Sequence, residues 1–106
     1  MKAIGLIFLV LLCVACKKDR GVDYKVTCAS CDLTYSDSKG NTKQTSMTSS
    51  WSLSFEADED QFLYLSAQNN NQTGTVSVSI KCAGKTIDDA SSSGAYVIAT
   101  ASGSAP

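Results

Sequence analysis

Apolar and polar side chains alternate without interruption in Thr75-Val76-Ser77-Val78-Ser79-Ile80-Lys81-Cys82. Successive side chains of an extended chain point to opposite faces, so Val76, Val78 and Ile80 share one face of this stretch. The pattern predicts a β-strand with one buried and one solvated face. Ala83-Gly84-Lys85 follows at once and predicts a tight hairpin turn.

The same two-residue period recurs along most of the chain from Tyr24 onward. Further predicted strands are Tyr24–Cys28, Cys31–Tyr35, Trp51–Phe55, Phe62–Leu65 and Ala95–Ala101. A turn at Ser38–Asn41 and an amide-rich loop at Asn69–Gly74 separate some of them. No helical period is present after the N-terminal segment.

These patterns predict an all-β protein. We expect a small antiparallel, immunoglobulin-like β-sandwich of about seven short strands, which occupies residues 23–101. The polar residues 102–106 are expected to form a disordered tail.

Residues 1–15 have the features of a cleavable lipoprotein signal peptide. Met1-Lys2 opens it, an apolar run from Ala3 to Ala15 follows, and Cys16 takes the first mature position. In bacterial lipoproteins such a cysteine receives a diacylglycerol on its thiol. A transmembrane helix needs about 20 apolar residues, and this run is shorter. Lipidation of Cys16 is therefore favoured over an uncleaved anchor and over an ordinary secretory signal.

The anchor predicts where the protein acts. Residues 16–22 would form a short lipidated tether, and the bilayer would be a partner through the lipid on Cys16. We expect a location in the bacterial cell envelope, with the outer membrane favoured over the inner and the face left open. The covalent diacylglyceryl and acyl groups are the only attached groups expected, without a metal or other cofactor.

Composition argues against several classes of function. Nine Lys and Arg residues stand against ten Asp and Glu residues, for a net charge of −1, so no basic surplus indicates nucleic acid. The chain has no histidine, which removes the commonest general base and rules out a Ser-His pair. Phosphate-binding and dinucleotide-binding motifs are also absent. We predict that the protein is not an enzyme.

Three cysteines besides Cys16 lie in the predicted mature chain. Cys28-Ala29-Ser30-Cys31 falls between two predicted strands, where a turn would bring its ends within about 7 Å, a distance that a disulfide spans. A Cys28–Cys31 bridge is favoured, and a bridge from Cys82 to either one is the alternative, because it would close a longer loop. A reactive CxxC pair usually opens a helix, and no helix is predicted here.

Two further groups of residues receive structural interpretations. Trp51 shares a strand face with Leu53 and Phe55, which predicts a role in the core. Four carboxylates gather within five positions: Glu56, Asp58, Glu59 and Asp60. They lack the glycine and spacing of an EF-hand, so a solvated loop is favoured over a calcium site.

Several fragments occur in the order and spacing of a known family. They are Leu33-Thr34-Tyr35-Ser36-Asp37, Gly40-Asn41, Trp51-Ser52, Leu65-Ser66-Ala67-Gln68-Asn69, Ile80 with Gly84-Lys85, and Ser93-Gly94-Ala95. Together they resemble the MmpS family of small mycobacterial membrane proteins, over roughly Tyr24 to Thr100. The resemblance implies a soluble β-sandwich that accompanies exporters of the resistance-nodulation-division (RND) class. The family has a transmembrane helix where this chain has its lipoprotein-like signal.

The expected function is therefore that of a membrane-anchored envelope lipoprotein with a non-catalytic binding domain. By the resemblance, its partner would be an RND-type (MmpL-like) exporter or another envelope protein. The alternative is a cell-surface adhesion or glycan-binding module. A thiol enzyme that uses Cys28 and Cys31 is a third and weaker hypothesis.

Overall fold

The computed structural model describes residues 20–106, and these residues form six β-strands. The strands are β1 (Gly21–Ser36), β2 (Thr42–Glu56), β3 (Phe62–Asn69), β4 (Thr75–Cys82), β5 (Lys85–Ser93) and β6 (Ile98–Ser104). Every strand pair is antiparallel. The all-β antiparallel prediction is confirmed, with six strands in place of about seven. The described part of the chain contains no helix long and apolar enough to cross a membrane.

β1 and β2 form one long hairpin, paired from Gly21 and Glu56 to Ser36 and Thr42. Its turn is held by the Asp37 carboxylate, whose Oδ1 accepts the backbone N–H groups of Lys39 and Asn41, each at 2.9 Å. Desolvation would raise the pKa of Asp37, but these two donors favour its charged form and lower that pKa below its ordinary value.

The long hairpin is bent in its middle, at a β-bulge between Cys28 and Ser30. Before the bulge β1 pairs with β4, and after it β1 pairs with β3. β2 follows the bend at Ser49, which has a positive φ of 66°. The predicted turn between two strands at 28–31 is therefore wrong. A bulge bends and twists a strand without ending its pairing, so one strand serves both layers.

The bend produces a sandwich of two layers. The sheet runs in the order β5-β4-β1-β3-β6, and β2 pairs with β1 outside this path. β5 and β6, the two ends of the path, come together through side chains. Asp88 Oδ2 accepts the N–H of Ser102 at 3.0 Å, and Ser92 Oγ donates to the carbonyl of Ile98 at 2.9 Å. The sandwich is consequently almost closed into a barrel.

The core lies between the layers and is built from the alternating positions of the strands. Its fully buried members include Val22, Tyr24, Val26, Leu33, Leu63, Leu65, Ala67, Val76, Ile80 and Ala101. Val76, Val78 and Ile80 face inward as their alternation predicts. Every buried side-chain nitrogen or oxygen of the described residues has a hydrogen-bond partner, as a stable core requires.

The strands run between two ends of the sandwich. We call the end where the chain enters at Arg20 the proximal end, and it holds residues 37–41, 57–61, 83–84 and 105–106. The opposite, distal end holds the Cys28–Ser30 bulge and the loops 70–74 and 94–97. Strands of about eight residues separate the two ends by roughly 26 Å.

Both predicted domain boundaries need correction. The tether prediction included Gly21 and Val22, but β1 already contains them, since the carbonyl of Gly21 accepts the N–H of Ala83 at 2.9 Å. The predicted disordered tail is instead the end of β6, which pairs with β3. Ala105 is buried, and its N–H donates to the carbonyl of Gln61 at 2.9 Å. Backbone pairing orders this tail despite its polar side chains.

Two strand predictions also differ from the structure. The last strand begins at Ile98 instead of Ala95, because residues 94–97 form a loop in which Tyr96 has a positive φ of 54°. β5 follows the predicted hairpin turn at Ala83–Lys85, but its span lacks a clear apolar alternation. Its side chains are mostly exposed or half-buried, so little apolar signal marks it.

Candidate functional site

The distal end is built around the buried side chain of Asn69. Its Nδ2 donates to the carbonyls of Thr73 at 3.0 Å and Gly94 at 3.1 Å. Its Oδ1 accepts the N–H of Asn71 at 3.0 Å. This amide thereby links the loops 70–74 and 94–97. Because both its donor and its acceptor groups are hydrogen-bonded, the network makes this surface rigid.

A shallow groove of about 530 Å³ lies beside this loop cluster, on the outer face of the layer formed by β2, β1, β3 and β6. The side chains that line it come from all four strands: Asp32, Thr34, Gln44, Ser46, Ser66, Gln68 and Ile98. Register explains the grouping, because Asp32 pairs with both Ser46 and Gln68. Paired residues of an antiparallel sheet point to the same face.

The groove is polar, and its carboxylate is already engaged. Asp32 Oδ1 accepts from Ser46 Oγ at 2.9 Å and from Asn70 Nδ2 at 3.2 Å. No Lys or Arg occurs among the described residues that line the groove. Its hydroxyl and amide groups can both donate and accept hydrogen bonds. Such a surface suits a neutral, hydroxyl-rich or amide-rich ligand.

The exposed side chain of Ile98 lines the groove at its distal edge, and the exposed Tyr96 lies in the neighbouring loop. Ile98 is 54% exposed and Tyr96 is 52% exposed. Gln68 Nε2 donates to the carbonyl of Tyr96 at 3.4 Å, which links the floor of the groove to this edge. The groove therefore combines polar groups with the aliphatic side chain of Ile98, and binding sites commonly contain both kinds of contact.

Trp51 packs as the sequence predicts, although its packing is incomplete. Its ring lies 5.1 Å from that of Tyr35, and the Tyr24 ring contacts those of Tyr35 at 6.2 Å and Phe55 at 5.3 Å. Trp51, Leu53 and Phe55 are half-buried against the core. These side chains contact the core because β2 follows the bend of β1.

Cys28 and Cys31 form a disulfide across the bulge, with their Cα atoms 6.1 Å apart. Cys82 is buried and takes no part in this bridge. Both bridged residues are almost fully buried. The bridge therefore braces the bend of β1.

The remaining predicted positions are dispersed. Cys16 and residues 1–15 lie outside the described residues. The carboxylates of the loop after β2 sit at the proximal end, where Glu59 Oε1 lies 3.7 Å from a guanidinium nitrogen of Arg20. Within residues 20–106, no group of three His, Cys, Asp or Glu side chains is placed to hold a metal ion.

Sequence reasoning did not identify the groove. It selected the loop Asn69–Gly74 for its amides, and this loop does border the groove through Asn70. The lining residues come from the separate stretches 32–34, 44–46 and 66–68 and from Ile98. Each polar residue among them has the character expected of any solvated strand position, so only their register brings them together.

Comparison with known proteins supplies no further guide, since no protein-family model and no curated protein matches the chain.

Proposed function

We propose that this protein is a lipid-anchored lipoprotein of the bacterial envelope whose β-sandwich works by binding, without catalysis. The observation that carries the proposal is the position of Arg20. Its carbonyl accepts the N–H of Ala57 at 3.0 Å, and its Nε donates to the carbonyl of Pro106 at 2.8 Å. Arg20 thus already belongs to the folded domain.

A tether this short orients the domain on the membrane. Cys16 precedes Arg20 by four residues, which span about 14 Å when fully extended. With a lipid on Cys16, the proximal end faces the bilayer and the distal end points away from it. The groove occupies the distal half of its sheet face, where a partner or ligand can reach it.

An accessory role beside an RND-type exporter is the function that we favour for this surface. It is supported by the resemblance of the mature chain to the MmpS family. It is also supported by the rigid loop cluster at the distal end, since a preorganised surface loses little entropy on docking.

The anchor is tested by mass spectrometry and membrane fractionation of the chain expressed in a bacterium. We expect an acyl-modified Cys16 at the mature N-terminus and recovery with membranes. Cys16→Ala should lose both, whereas Cys13→Ala, which alters the signal only, should keep both. A Cys16→Ala variant that remains with membranes without any acyl mass would contradict the proposal. Crosslinking in intact cells and capture of the lipidated protein then identifies the partner.

A glycan-binding module is a second candidate, favoured by the uncharged amides and hydroxyls of the groove. We expect Gln44→Ala with Gln68→Ala to abolish binding to a polysaccharide array. The control, Ser77→Ala with Ser79→Ala, changes the outer face of the other layer, which carries its own groove. Equal binding by both variants would exclude this candidate, and a domain shielded from protease on whole cells would exclude a role in adhesion at the cell surface.

A further inference from the structure

We propose that the proximal end carries a second membrane contact, in which Phe62 and Tyr64 rest in the interfacial region of the bilayer that holds the lipid on Cys16. This inference rests on the lipid anchor proposed above. It assigns an orientation and a bilayer-contacting surface to the folded domain, in addition to the attachment point.

Phe62 and Tyr64 form an aromatic pair on the outer face of β3, in which Phe62 is exposed and Tyr64 is half-buried. Phe62 is 58% exposed, and its ring stacks on that of Tyr64 with centroids 6.3 Å apart and planes inclined by 28°. Single exposed apolar residues are common and need no explanation. A phenylalanine stacked on a tyrosine is more specific, because the amphipathic tyrosine ring favours the headgroup level of a bilayer and the phenylalanine adds apolar surface beside it.

The position of the pair indicates that its contact is a bilayer. Phe62 opens β3 at the proximal end, directly after Gln61, whose carbonyl accepts the N–H of Ala105 at 2.9 Å. The neighbouring Pro106 accepts from Arg20 Nε at 2.8 Å. The aromatic pair and the point where the chain leaves towards Cys16 therefore share one end of the domain. A tether of about 14 Å holds this end close to the lipid surface.

Charge at the proximal end is mixed. The loop before β3 carries Asp58, Glu59 and Asp60, and an Arg20 guanidinium nitrogen lies 3.7 Å from Glu59 Oε1. Cations stand beside them, since the turn at 37–41 contains Lys39 and the tether sequence contains Lys17 and Lys18. The proposed contact is apolar in origin, so zwitterionic vesicles test it with the smallest contribution from headgroup charge.

The test uses the unsubstituted lipidated chain, labelled with 3-fluorotyrosine and reconstituted in phosphatidylethanolamine and phosphatidylcholine vesicles. The chain has four tyrosines, and each resonance is assigned with a Tyr→Phe variant. Doxyl-labelled lipid then broadens the fluorine signals of residues at the bilayer. We expect strong broadening of Tyr64 and none of Tyr96, although Tyr96 is 52% exposed, because it lies at the distal end.

Two variants test whether Phe62 makes the contact. Phe62→Ser should reduce the broadening of Tyr64 roughly tenfold, because it removes the large apolar side chain that is exposed at this end. Ile98→Ser is the matched control, since Ile98 has a similar exposure at the distal end, and it should leave the signal unchanged. Equal broadening of Tyr64 and Tyr96, or a sharp Tyr64 signal on vesicles, would overturn the inference. A Tyr64 signal that responds to protein concentration and not to doxyl lipid would also overturn it. That result would indicate that a second copy of the chain covers Phe62 and Tyr64.

The failure of this inference is distinguishable from the failure of the lipid anchor. If cells leave Cys16 unmodified, the mass spectrum shows it, and the proposed function fails first. The same chain, coupled at Cys16 to a maleimide lipid, then tests the aromatic contact by itself. A sharp Tyr64 signal in that sample overturns the contact, whatever happens to Cys16 in cells.

Discussion

Tyr24 shows at the scale of one residue how the two layers are joined. Its side chain is fully buried in the first half of β1. Its hydroxyl donates to the carbonyl of Ser36 at 2.8 Å and lies 2.9 Å from Ser36 Oγ, at the other end of the same strand. It also accepts the N–H of Tyr64 at 3.3 Å. One phenol therefore connects both halves of β1 with β3.

We expect Tyr24→Phe to lower the free energy of unfolding by about 1–2 kcal/mol. The groups of Ser36 and Tyr64 that bond to the phenol oxygen would lose a hydrogen-bond partner in a buried site. Urea denaturation at neutral pH measures this. Tyr96→Phe, at an exposed position, should change it by less than about 0.5 kcal/mol. A Tyr24→Phe variant as stable as the unsubstituted chain would show that the hydrogen bonds of the Tyr24 hydroxyl do not stabilise the fold.

The same residue predicts a loss of stability in alkali. Burial raises the pKa of the Tyr24 phenol above its ordinary value of 10.0, although the hydrogen bonds with Ser36 and Tyr64 act in the opposite direction. The folded state then holds this proton more tightly than the unfolded state. Its contribution to stability is complete below about pH 10 and is lost as the pH rises from there through the folded pKa. Urea titrations between pH 8 and 11 should show a steeper fall for the unsubstituted chain than for Tyr24→Phe. Tyr96→Phe should keep the steep fall.

At the scale of one element, β1 is the strand on which the fold depends. Its bulge between Cys28 and Ser30 moves it from one layer to the other. The Cys28–Cys31 disulfide spans this bulge, and Asn70 braces it by donating its N–H to the carbonyl of Ser30 at 2.9 Å. The bend is therefore held by a covalent bond and by the distal loop.

Removal of the disulfide should weaken this bend without abolishing the fold. Cys28→Ala with Cys31→Ala should lower the free energy of unfolding by about 2 kcal/mol, the size expected for a bridge that closes a very short loop. A reductant should destabilise the unsubstituted chain similarly and leave the double variant unaffected. Cys82→Ala should still respond to the reductant, since Cys82 lies outside the bridge. A double variant that still responds would show that another bridge carries the effect.

At the scale of the whole molecule, closure of the sandwich depends on the contact between β5 and β6. These strands meet through side chains, and Ile87 lies directly over Gly103. A Cβ added at Gly103 would overlap Ile87 Cγ2. The glycine is therefore needed at this position for the close approach of the two strands.

We expect Gly103→Ala to destabilise the protein by about 1–3 kcal/mol, because the added methyl forces the two strands apart. Ile87→Ala removes the obstructing group, so the same substitution should cost much less in that background. A double-mutant cycle from thermal or urea unfolding measures this coupling. Ser104→Ala, on an exposed position of β6, should change stability by less than about 0.5 kcal/mol. Additive effects of Gly103→Ala and Ile87→Ala would contradict a direct contact.

The sequence by itself determined the fold class and the inward residues of most strands. Alternation in Val76-Ser77-Val78-Ser79-Ile80 is a local signal, since one buried face imposes it residue by residue. Local turn-forming residues likewise predicted the turn at Ser38–Asn41 and the loop at Asn69–Gly74. The lipid anchor on Cys16 is likewise a prediction from local sequence, and it concerns residues outside those described.

Only the tertiary structure decided how the strands combine. The bend of β1 depends on β3 and β4, which pair with its two halves from distant parts of the chain. Order in residues 102–105 comes from pairing with β3 and with the loop at Gln61, and polar side chains give no sign of it. The groove and the proximal aromatic pair arise in the same way. Register brings Asp32 and Gln68 together, and strand direction sets Phe62 beside the exit of the chain. These are long-range relations. Residue alternation indicates which face of a strand is buried, but it does not indicate which strands pair with each other.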